Sequence, residues 1–89
     1  MEAVTVAITK AFAKLEETAV KDAYDALTTL IQKKFGEKSE LAKAIENLEN
    51  RPDSAGRKEL LNEEIVAAKA HQDREITNAA ESLIEKIKA

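Results

Sequence analysis

Residues 73–89 read DREITNAAESLIEKIKA, and this stretch decides the fold class. Ile76, Ala79, Ala80, Leu83, Ile84 and Ile87 recur at three-and-four spacing, so at about 100° per residue they form one apolar stripe. Glu81, Glu85, Lys86 and Lys88 line the remainder, and Asp73 stands where an N-cap belongs. A helix of this kind has to bury its stripe against partners of the same kind. The other segments use the same helix-forming alphabet of Ala, Leu, Ile, Glu and Lys, and 2 Gly and 1 Pro only punctuate it. The expected fold is therefore all-α, a compact antiparallel bundle of five to six helices. The last stripe reaches the final residue, as expected of one module of a longer protein.

The segment before it, residues 54–70, places Leu60, Leu61, Ile65 and Ala68 on one face. Gly56 weakens its first turn slightly, and His71-Gln72-Asp73 reads as a short joint after it. Asn50-Arg51-Pro52-Asp53-Ser54 is the clearest break in the chain. Pro52 disfavours helix at Arg51, and Asp53 or Ser54 suits a new N-cap. Earlier still, Leu41, Ala44, Ile45 and Leu48 keep helical spacing behind an N-cap at Ser39. Phe35-Gly36 is a stop signal. Lys33 and Lys34 favour the dipole of a last turn, and Gly36 suits a left-handed cap.

Residues 3–35 read as helix throughout, but with two stripes. Val4, Ala7, Ile8, Ala11, Phe12 and Leu15 share a face, with Thr5, Thr9, Lys10, Lys14, Glu16 and Glu17 mostly opposite. From Val20 a second stripe (Val20, Ala23, Tyr24, Leu27, Leu30, Ile31, Phe35) is rotated by roughly 120°. A straight helix cannot serve one flat partner with both faces. The segment is either two helices meeting near Glu16–Ala19 or one bent helix whose halves pack on different neighbours. Val6 and Ala13 add apolar side chains to the polar side, and Val66 does the same in residues 54–70. A first helix that is apolar nearly all round is expected inside the bundle, with contact to a partner or a membrane as the alternative.

The chain has 89 residues and is 44% hydrophobic, much of it Ala. That supports one domain, residues 1–89, with a small core and no deep small-molecule cavity. The net charge is −3 with the signs interspersed, and aromatic side chains are scarce. There is no basic stripe or stacking platform, so nucleic acid is not an expected partner. The absence of Cys excludes disulfides and thiolate metal sites and fits a cytoplasmic protein. No apolar run approaches the roughly 20 residues of a membrane span, and Glu2 and Lys10 break the pattern of a signal peptide.

His71 is the one candidate proton shuttle, with Asp73 two residues away. A working site needs convergent partners, so the pair reads first as a polar joint between helices. Ser39 and Ser54 read as caps and Ser82 as an exposed helix residue, because nothing nearby would activate a hydroxyl. Glu16-Glu17 and Glu63-Glu64 read as solvated faces. A bundle metal site would need a Glu-x-x-His partner that the chain lacks. Isolated Gly residues form no phosphate-cradling loop. No cofactor or metal is expected, and no enzymatic activity.

Several segments together resemble a known family. Ala3-Val4-Thr5-Val6-Ala7-Ile8 opens the chain as a short Ala-rich helix, and Leu30-Ile31-Gln32-Lys33-Lys34-Phe35-Gly36 closes the next stripe. Leu48-Glu49-Asn50-Arg51-Pro52-Asp53 follows, and Asp73 precedes the last helix. This order is similar to that of bacterial death-like, or death-effector-type, domains. Those domains stand at the N-termini of multidomain proteins carrying NTPase or protease effector modules. The resemblance implies a death-fold-like bundle and a non-enzymatic adaptor. It also implies homotypic assembly, with itself or a matching helical domain, that brings attached effectors together in immunity or programmed cell death. Charge alone then selects Lys33, Lys34, Lys38, Arg51, Arg57 and Lys58 as a candidate basic surface. Glu16, Glu17, Glu59, Glu63 and Glu64 are its acidic counterpart, and head-to-tail pairing of such patches gives rings or filaments.

Overall fold

The computed structural model describes all residues, 1–89. The stripes become α1 (Ala3–Ala11), α2 (Thr18–Phe35), α3 (Glu40–Asn50), α4 (Ala55–Ala68) and α5 (Arg74–Lys88), with single 3₁₀ turns at Phe12–Lys14 and Ala70–Gln72. The all-α bundle is thus observed, with five α-helices.

Residues 3–35 form two helices rather than one bent helix. The two stripes face different neighbours, so the chain turns after the 3₁₀ segment and restarts at Thr18. The joint is held by packing: Glu17 makes no side-chain cap bond, while the Phe12 and Tyr24 rings meet at 5.7 Å, tilted by 59°. The other starts are capped as their sequences require. Ser39 accepts from the Ala42 amide at 3.1 Å, Ser54 from Arg57 at 3.2 Å and Asp73 from Ile76 at 3.1 Å. Of the two candidates at the Pro52 break, the cap is therefore Ser54.

Two helix ends differ from expectation. Gly36 has positive φ, but at φ 99°, ψ 146° it lies outside the left-handed helical well. α4 ends two residues before Ala70, through Lys69 at φ 60°, ψ 28°. Lys69 therefore holds a left-handed conformation that its Cβ disfavours.

α1 packs on α5 and α4, α5 on α2, and α4 on α3, while α3 returns to α2 more sparingly. Lys34 at the end of α2 reaches Asp73 and Glu75 at the start of α5. Lys14, just past α1, donates to the Ile87 carbonyl at the other end of α5. α1 and α5 therefore run parallel, with α2 antiparallel to both. Val4, Ile8, Leu27, Ile31, Leu48, Leu61, Ile65, Ile76 and Leu83 are fully buried where these helices meet.

Two assignments to faces are corrected. Leu60 is 42% exposed. Leu61 and Ile65, one turn apart, take the buried side of α4, and Leu60 lies about 100° round from Leu61. Thr5 is fully buried, although its neighbours on the wheel are polar. α1 is covered by α4 as well as α5, and the Thr5 hydroxyl donates to Asn62 Oδ1 at 2.8 Å. The first helix thus lies inside the bundle: Val4, Ala7, Ile8 and Ala11 are all fully buried. Inserting it into lipid would dismantle the core. No helix is long and apolar enough to cross a membrane.

Candidate interaction surface

The charged residues expected to carry assembly divide between the two ends of the bundle. Lys33 is exposed at the end of α2 and Lys38 in the turn that follows. Arg51 is exposed at the end of α3, about 16 Å away along that helix by its rise per residue. Arg57 and Lys58 are half-buried in the first turns of α4. Glu16 and Glu17 are exposed at the joint between α1 and α2, and Glu59 and Glu63 are exposed on α4 with Glu64 half-buried.

Some of these groups are already engaged. Lys34 Nζ lies 2.9 Å from Asp73 Oδ2 and 3.1 Å from Glu75 Oε1. The hydrogen bond to Asp73, then that to Glu75, holds the Lys34 pKa above the usual lysine range. The Lys34 ammonium, then the Ile76 amide, holds Asp73 below the usual carboxylate range. Lys34 thus acts as a strut between α2 and α5. Arg57 Nη1 donates to the Asn47 carbonyl at 2.6 Å and ties α4 to α3. Glu17 lies 4.0 Å from Lys14. Lys33, Lys38, Arg51, Glu16, Glu59 and Glu63 take part in no ion pair.

The structure adds a surface that sequence reasoning missed. The sparse α2–α3 contact leaves an open groove of about 400 Å³ lined by Thr28, Gln32, Glu37, Ala42, Ile45, Glu46 and Glu49. A second groove, of about 380 Å³, continues past Glu49 to Phe12, Leu15, Lys21, Tyr24, Asp25 and Pro52. The Tyr24 hydroxyl donates to Glu49 Oε2 between the two. Burial first, and then the Glu49 carboxylate, push the Tyr24 pKa far up, so this donor keeps its proton. Both grooves are open at the surface, in keeping with the absence of a deep cavity. The residues on α2 and α3 could be read off the stripes, but the splay between the helices depends on how each packs elsewhere.

The His71–Asp73 pair does not assemble. Both Asp73 carboxylate oxygens meet Lys34, and one also caps α5. His71 Nδ1 is buried without a hydrogen-bond partner.

The sequence profile of the Het-E N-terminal domain family matches residues 1–89. The chain belongs to the Het-E N-terminal domain family. The expectation of a small helical domain of the N-terminal kind agrees with that membership. No curated protein and no solved structure matches the chain. In this Het-E N-terminal domain Ser39, Ser54 and Asp73 cap helices, Asn62, Lys34 and Arg57 tie helices together, and many other charged side chains are exposed and unpaired.

Proposed function

We propose that this Het-E N-terminal domain is a non-enzymatic protein–protein interaction module. It assembles homotypically, or with a matching helical domain, in the cytoplasm. An effector attached to it is then activated by raised effective concentration, in bacterial immunity or programmed cell death. Membership of a family of N-terminal domains carries this reading, because such a domain acts through what it brings to the rest of its chain. The order of helices and breaks, which resembles that of death-like adaptors, supports the homotypic part of the reading. Free cations at Lys33 and Lys38 and free carboxylates at Glu16, Glu59 and Glu63 offer charges of opposite sign for assembly.

The test is light scattering after size exclusion over a wide range of concentration, at low and moderate salt. Mass should grow with concentration and shrink as salt screens the charged faces. A strict monomer under all conditions would remove self-association.

A further inference from the structure

Resting on this homotypic reading, we infer that the α2–α3 groove of one copy receives the outer α1–α4 surface of the next. Three observations meet here. The first is charge. Glu37, Glu46 and Glu49 line the groove, and none of them meets a cation within the chain. The one lysine in the continuous second groove, Lys21, is already paired with Asp25 at 3.0 Å. The groove therefore presents unneutralised carboxylates over the nearly buried Ala42 and Ile45.

The second observation is a surface of opposite character. Ala3, Val6 and Lys10 follow one another at helical spacing along the uncovered side of α1. Asn62 marks the flank of α4 that faces α1, since it accepts from Glu2 N and from Thr5. Lys58 and Val66 lie one turn to either side of Asn62 on that helix. Val66 is 45% exposed, and neither Lys10 nor Lys58 has an anionic partner. Glu63 lies about 60° round α4 from Val66, away from α1, and Glu59, about 20° from Val66, borders the strip on that edge. The surface is thus small, apolar and cationic, and its short side chains let a neighbouring backbone approach closely. It complements a groove with an apolar floor and acidic walls.

The third observation is placement. Packing runs from α2 to α5, α1, α4 and α3, and α1 also touches α2, so the α1–α4 seam and the α2–α3 seam use different pairs of helices. Groove and strip are therefore two distinct surfaces of one copy, so they cannot pair with themselves as a single shared patch. A contact between them is head-to-tail, and each added copy presents a fresh groove and a fresh strip. Such an assembly grows past the dimer unless its rotation closes a ring.

Charge reversal tests the contact with the chain itself. Lys10 and Glu46 are both exposed, so Lys10→Glu and Glu46→Lys should keep wild-type circular dichroism and melting. At low salt each variant alone should associate about tenfold or more weakly than wild type. An equimolar mixture should recover association toward the wild-type level, because copies can alternate so that native strip meets native groove at one contact and reversed strip meets reversed groove, again with opposite charges, at the next. Variants that associate like wild type would overturn this contact and leave homotypic assembly standing through another face. A mixture that stays monomeric would overturn the pairing of these two surfaces. A wild-type chain that never self-associates would overturn both the contact and the reading beneath it.

Discussion

Asn62→Ala tests how the first helix is held in place. Asn62 Oδ1 accepts from the Thr5 hydroxyl at 2.8 Å and from the Glu2 amide at 2.9 Å. Glu2 precedes α1, which has no side-chain cap of its own, so one carbonyl oxygen anchors the helix start to α4. Thr5 is fully buried. Once orphaned, its hydroxyl has no water to turn to, at a cost of about 1–3 kcal/mol. The Glu2 amide belongs to a half-buried residue and recovers part of its loss from solvent, leaving about 1 kcal/mol. The expected destabilisation is about 2–4 kcal/mol. A domain of this size has about 4–13 kcal/mol in total, so the loss is a large share. It lowers the melting temperature by about 4–8 °C per kcal/mol.

Thr5→Val is the matched control. It removes the donor, keeps the shape and leaves Asn62 bonded to Glu2, so it should cost less than about 1 kcal/mol. In the Thr5→Val background Asn62→Ala should cost about 1–3 kcal/mol less than in wild type. Urea unfolding of the four proteins, followed by helical circular dichroism, measures both quantities. If the two substitutions are additive, or if Asn62→Ala costs under about 0.5 kcal/mol, this hydrogen bond does not hold the helix.

Four other outcomes are expected. Leu27→Ala should cost about 2–5 kcal/mol, whereas Leu60→Ala should stay within about 0.5 kcal/mol; equal losses in denaturant titration would contradict the burial pattern of α2 and α4. Lys69→Gly should stabilise the domain by up to about 1 kcal/mol, because glycine relieves the left-handed residue that ends α4; a lower melting temperature would show that the lysine side chain contributes more than its backbone costs. His71→Leu should leave stability unchanged or raise it by about 1 kcal/mol, since it removes a buried nitrogen that has no partner, and a loss of stability in the melt would show that the imidazole is satisfied. Asp73 titrates below its unfolded value, so its contribution is present above the ordinary carboxylate range and disappears as pH falls through the lowered value. Lys34 titrates above its unfolded value, so its contribution is present below the ordinary lysine range and disappears as pH rises through the raised value. The melting-temperature gap between wild type and Lys34→Gln should therefore be widest at intermediate pH and close at both extremes; a gap independent of pH would show that the strut contributes nothing through charge.

The elements were legible because their signals are local. Apolar spacing placed the helices, Ser39 and Asp73 marked two starts and Asp53 or Ser54 a third, and the rotation between two stripes signalled a change of direction near Glu16–Ala19 that left two helices or one bent helix open. The misses share a cause, which is that they depend on neighbours. Thr5 reads as polar and exposed until α4 brings Asn62 over it. Leu60 reads as core until Leu61 and Ile65 claim the single buried side of α4. Lys34 reads as a free cation at a helix end, and it becomes a strut because α5 starts beside it. The groove was illegible for the same reason: each of its walls looks like an ordinary half-exposed helix, and only the sparse return of α3 to α2 separates them.

That sparse return also bears on how assembly and stability are linked. α5 packs closely on both α1 and α2, and α3 and α4 form a hairpin laid against this layer. Asn62 carries the side-chain hydrogen bonds across the α4–α1 seam, and Glu49 carries one across the α3–α2 seam through Tyr24. These are the same seams whose outer surfaces form the inferred strip and groove. A copy docked in the groove would touch both sides of one seam, and a copy docked on the strip would touch both sides of the other. Each such contact favours the closed hairpin over any loosened form, because a ligand stabilises the state that it binds. A substitution that loosens the hairpin therefore weakens assembly without touching the interface, and a partner that binds either seam tightens the hairpin. Both effects come from the same arrangement, in which one core joins all five helices and polar bonds across the two thinner seams help to close them.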